Sequence, residues 1–162
     1  MQNKLQSQPG TQELRKSILE AAQEELDQLA EITDSGESAE LATAVAQSRL
    51  GDIYLELGDL DRAVSLYSLA RDNLRQCLDK KISPVLSRQT LARSLWQLGY
   101  VDIQQDRHSQ AASQYREALA AIEQAQSIAE ESQNDLLRRS VRRDYCLAQQ
   151  RLGEVEELSL IH

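Results

Sequence analysis

The sequence predicts an all-α fold of stacked antiparallel helical hairpins, about six helices with no β-sheet. Three observations point there. The chain of 162 residues holds only 2 Pro and 6 Gly and no Phe, while Ala, Leu, Gln, Glu and Arg, which lose least on entering a helix, recur throughout. Its apolar residues fall on helical stripes. Its breaks are short, and short connections between helices of about 20 residues force neighbours to lie antiparallel. The length suits one well-buried core rather than two domains. Hydrophobic content of 41% and charged content of 27% lie in the globular range, so the chain is expected to fold despite a net charge of −8.

After a polar start over residues 1–11, expected to be flexible, residues 12–33 place Ile18, Ala22, Leu26, Leu29 and Ile32 on one stripe, with Glu20, Glu24, Asp27 and Glu31 opposite. "TDSGES" ends this first helix and supplies caps for a second, from near Ser38 to about Leu57. Gly58 and "DLDRA" give a tight turn and a new N-cap, and a third helix follows from Leu60 to Lys81. Pro84, which fits a first helical turn but breaks an interior, starts a fourth that runs to Gln105. A fifth spans Ser109–Glu131 and a sixth Asn134–Leu158. The domain thus covers 12–158: an N-terminal helix or half-repeat at 12–33, one repeat at 38–81, a second at 84–131, and a half-repeat or capping helix at 134–158.

The chain repeats itself at a shift of 48 residues. Leu50 and Gly51 return as Leu98 and Gly99, while Ala63, Tyr67 and Ala70 return as Ala111, Tyr115 and Ala118. Leu152 and Gly153 begin a third copy. A small residue lets two helices approach, and a large one fills the gap beside it. This pattern resembles the tetratricopeptide repeat, with a Leu-Gly pair and an aromatic on the first helix and Ala, aromatic and Ala on the second. Leu50, Gly51, Tyr54, Ala63, Tyr67 and Ala70 fit it completely. In the later copies Asp102 and Glu156 replace the first-helix aromatic, and Arg75 and Glu123 stand where the family closes with Pro. The period exceeds the family's usual one, so the resemblance, over about 44–158, is to a long-helix variant found in bacterial signalling and scaffold proteins.

The resemblance implies that the first helix of each hairpin lines a concave groove holding a peptide or helical segment of a partner protein. Its residues would be Val45, Ser48, Asp52, Leu55 and Glu56, then Arg93, Trp96, Tyr100, Ile103 and Gln104. Trp96 and Tyr100, four apart, share one helical face, where large aromatics serve as anchors or as core; both readings stay open. Some family members grip a C-terminal carboxylate with Lys, Asn and Arg, but Ser48, Asp52 and Tyr100 occupy those places here, so chaperone-tail binding is not supported. Arg138, Arg139, Arg142 and Arg143 cluster near the start of the sixth helix, where cations oppose the helix dipole. They suit an acidic partner segment or a solvated face paired with nearby acids.

The same residues bound the function classes. Residues 1–47 hold three cations against nine acids, which repels nucleic acid, and four arginines without neighbouring aromatics add little for it. No HExxH, CxxC or glycine-rich phosphate loop occurs, so neither an enzyme, a cofactor nor a metal is expected. Cys77 and Cys146 read as small hydrophobes. No apolar run suffices for a membrane span, nor does "MQNKLQSQPG" make a signal peptide, so a cytoplasmic protein is expected. The reading is a non-enzymatic interaction scaffold, with a regulatory or sensor domain of a larger signalling protein as the alternative. Self-association, through the groove or the first helix, stays open.

Overall fold

The structure, a computed structural model, describes residues 36–161, all-α and without a strand among them. Five helices follow in order: α1 Gly36–Glu56, α2 Leu60–Asp79, α3 Pro84–Gln104, α4 His108–Glu130 and α5 Asp135–Ile161. They correspond to the second to sixth helices expected from sequence, with ends shifted by up to three residues. The expected first helix and the start before it lie outside the described residues.

Each connection is three or four residues long, so the helices fold back on one another. Gly58 takes φ +75° between α1 and α2, and the Asp59 N–H donates to the Tyr54 carbonyl at 2.9 Å. The Asp59 carboxylate then caps α2 by accepting from the Arg62 N–H at 3.2 Å. Between α2 and α3 the chain turns through Lys81 and Ser83, both left-handed, and drops Ile82 into the core. Ser87 Oγ donates to the Ile82 carbonyl at 2.7 Å and fixes that entry. Asp106, φ +57°, makes the turn into α4, while Asn134 Oδ1 accepts from the Leu137 N–H at 3.1 Å to start α5.

Consecutive helices pack against each other, and α1 with α3 and α3 with α5 make the lesser contacts of the next layer. The repeated small and large residues lie at these contacts. Ala63, Tyr67, Ala70, Ala111, Tyr115 and Ala118 are all buried. A Cβ on Gly51 would stand 2.6 Å from Tyr67 Cε1, and one on Gly99 would stand 3.0 Å from Tyr115 Cε2. Each glycine therefore exists to admit the tyrosine of the next helix. Leu74, Cys77, Leu91, Leu95, Ile122 and Val141 carry the main core through the stack. Neighbouring helices are also tied by surface ion pairs, such as Arg75 on α2 with Glu117 on α4 at 2.5 Å and Arg116 on α4 with Glu156 on α5 at 2.9 Å; exposed pairs of this kind each contribute under about 1 kcal/mol, so apolar burial does most of the holding.

Candidate partner-binding groove

Three helices, α1, α3 and α5, wall a groove of about 480 Å³, to which α2 and α4 contribute nothing. α1 presents Val45, Ser48 and Arg49; α3 presents Leu86, Gln89, Thr90, Arg93, Trp96 and Gln97; α5 presents Ser140, Arg143, Asp144 and Arg151. Alternation of inner and outer helices follows from the hairpin connectivity, because each inner helix returns to the groove after one outer helix.

The groove wall is set by polar bonds between helices. Ser94 Oγ and Ser48 Oγ, both buried, lie 3.1 Å apart in a hydrogen bond, and two such small side chains let α1 and α3 come close. Asp52 joins three helices: Tyr67 Oη donates to its Oδ1 at 2.8 Å, Gln97 Nε2 to the same oxygen at 3.1 Å, and Arg93 Nη2 to Oδ2 at 2.5 Å. Burial, then the adjacent Asp52 charge, pushes the Tyr67 phenol far above its ordinary range, so it remains a donor at every physiological pH. On α5, Asp144 Oδ2 accepts from Gln89 Nε2 at 2.7 Å. Burial raises Tyr115 as well, and the positive charge of nearby Arg151 pulls the other way.

Of the residues singled out from sequence, Val45, Ser48, Arg93 and Trp96 line the groove, and Asp52 lies behind it as the acceptor for Arg93. Trp96 is half-buried: it packs on the main core and also on the cluster of Ala111, Ala112, Tyr115 and Val155, so it is both wall and core. Its indole N–H is buried without a hydrogen-bond partner. Leu55 packs on Ala63, Tyr67 and Leu98, and Ile103 on the Tyr115 cluster. Glu56, Tyr100 and Gln104 are exposed beyond the groove. Of the arginine cluster only Arg143 reaches the groove; Arg138 pairs with Asp135, and Arg139 and Arg142 are exposed. Sequence reasoning missed Arg49, Leu86, Gln89, Thr90, Gln97, Ser140, Asp144 and Arg151 as groove residues. Gln89 had a signal, standing one turn before Arg93 on the same stripe.

Among the described residues no group of three His, Cys, Asp or Glu side chains could hold a metal, and no helix is long and apolar enough to cross a membrane. Cys77 is buried and Cys146 exposed, both free thiols.

Residues 44–72, which contain Gly51, Asp52 and Tyr67, match the tetratricopeptide repeat family. No curated protein and no solved structure matches the chain significantly. The repeat is in general a protein–protein interaction unit and generally not a catalytic one.

Proposed function

We propose that the protein, carrying a tetratricopeptide repeat at residues 44–72, is a non-enzymatic scaffold holding a peptide or helical segment of a partner protein between α1, α3 and α5. One observation carries the reading: the inner face of the array holds a groove of about 480 Å³ lined by Leu86, 49% exposed, and, about three turns further along α3, by the half-buried Trp96. Tryptophan is among the commonest anchors of binding energy, and concave sites are lined mainly by apolar side chains such as Leu86. The Asp52 and Ser48 bonds fix the wall before any partner arrives, which lowers the ordering cost of binding.

The test is a selection of randomly displayed peptides on the full chain, repeated on Leu86→Glu after circular dichroism shows that variant folded. Leu86 is half exposed, so the substitution blocks the groove without emptying the core. Peptides that hold the wild type and are lost from Leu86→Glu are expected. Peptides held equally by both would place binding elsewhere and remove the groove from the function.

A further inference from the structure

We propose that the segment seated in this groove is acidic, with carboxylates held by Arg49, Arg143 and Arg151 and apolar side chains resting on Leu86 or on Trp96. The proposal rests on the peptide-binding reading of the same groove and names the chemistry of the peptide.

Charge is distributed against the composition of the chain. The protein carries a net charge of −8, with 26 acids against 18 Lys and Arg, yet four arginines from three separate helices line the groove beside a single carboxylate, Asp144. Little among the described residues neutralises them. Arg93 is taken up by Asp52. Arg143 Nε stands 3.6 Å from Asp144 Oδ1, and its side chain is 73% exposed. Neither exposed Arg151 nor exposed Arg49 forms an ion pair among the described residues.

Cations gathered in a concavity repel one another and focus a positive potential into it. A carboxylate entering there gains charge-assisted, bidentate hydrogen bonds that water does not match. The groove floor adds an apolar requirement. Val45, Leu86 and Trp96 would remain wet beneath a purely charged ligand, so the fitting segment alternates acids with at least one large apolar residue. A nucleic acid fits worse, because its continuous phosphates would meet the acidic remainder of the molecule and only one aromatic is present for stacking. Arg139 and Arg142 provide the control, being exposed cations on α5 that do not line the groove.

The peptides recovered from the selection are sequenced, synthesised without tryptophan and titrated into the full chain. Emission of Trp96, the chain's one tryptophan, reads occupancy of the groove directly. Enrichment in Glu and Asp around a large apolar residue is expected. Arg49→Glu/Arg143→Glu, with an unchanged thermal melt, should weaken binding at least about tenfold and Arg139→Glu/Arg142→Glu less than about twofold. If the double reversal fails to fold, Arg49→Glu alone decides, since that side chain is exposed and forms no ion pair among the described residues. Groove-dependent peptides without acidic enrichment, or equal losses in the two double variants, would overturn the acidic proposal and leave the peptide-binding reading standing. Absence of any peptide sensitive to Leu86→Glu would overturn both.

Discussion

In the first hairpin a Cβ on Gly51 would meet the Tyr67 ring at 2.6, 2.8 and 2.9 Å; in the second, a Cβ on Gly99 would meet Tyr115 at 3.0, 3.2 and 3.3 Å. The two rings differ in how firmly they are held. Tyr67 is fully buried, and its hydroxyl is fixed by Asp52, itself bonded to Arg93 and Gln97. The Tyr115 hydroxyl has no such carboxylate bonded to it among the described residues, only the positive charge of Arg151 nearby on the last helix. At the third copy, Gly153 has nothing within 4 Å of where its Cβ would be. One repeated Gly therefore sits in three environments of decreasing tightness, and equal sequence positions are not equal in energy.

The largest expected effects come from this series. Gly51→Ala should destabilise by about 1–3 kcal/mol, since a pinned, buried ring has nowhere to go. Gly99→Ala should cost less, its overlap being smaller and partly offset by the helix preference of Ala. Gly153→Ala should stabilise by about 0.5–1 kcal/mol, being limited only by that preference. Urea denaturation midpoints measure all three. The same ordering from any other cause would have to survive Tyr67→Ala, which should rescue Gly51→Ala specifically; equal costs at Gly51 and Gly99 would break the comparison.

A middle-sized effect separates the two hairpins at their carboxylates. Asp52 serves Tyr67, Gln97 and Arg93 on two other helices, whereas the buried Asp102 serves the neighbouring Arg107, at 2.9 Å to Nε and 2.6 Å to Nη2. Asp52→Ala removes the acceptor from three donors and should cost about 1–3 kcal/mol. Asp102→Ala loosens one turn and should cost about 1 kcal/mol. Thermal melts of the two variants decide; a larger loss for Asp102→Ala would mean that the turn, not the interhelical bond, holds the array.

The helices, their order and the Gly and Tyr contacts were legible because each depends on local chemistry: breakers, caps, and a small residue facing a large one at a fixed shift. The groove was legible only where one helix supplied it. Arg93 and Trp96 lie three apart on α3 and are read off a single stripe. Arg49, Asp144 and Arg151 meet them only because α1 and α5 close on α3, and that approach depends on crossing geometry rather than spacing. Leu55 lies seven residues after Ser48. A helix drifts by about 20° over that interval, and near the end of α1 its side chain packs on Tyr67 and Leu98 instead.

The smallest effect lies in the turns. Gly58 and Asp106 occupy matching places 48 residues apart and both take left-handed φ, +75° and +57°. The hydrogen bond that closes each turn is also matched: Asp59 N–H to the Tyr54 carbonyl at 2.9 Å, and Arg107 N–H to the Asp102 carbonyl at 2.8 Å. Around this shared backbone the side chains differ, with the Arg62 guanidinium 5.3 Å from the Tyr54 ring centroid in the first hairpin and Arg107 on Asp102 in the second. A Cβ at position 58 would meet nothing within 4 Å, so Gly58→Ala isolates the conformational cost and should destabilise by about 1 kcal/mol. Asp106→Gly should stabilise by only a few tenths of that, because Asp tolerates the left-handed region and the added glycine gives the unfolded chain more freedom to lose. Thermal melts resolve the pair. A gain from Asp106→Gly as large as the loss from Gly58→Ala would mean that Asp106 is strained in place, and that the second turn is held by the Asp102 and Arg107 pair against its own backbone preference.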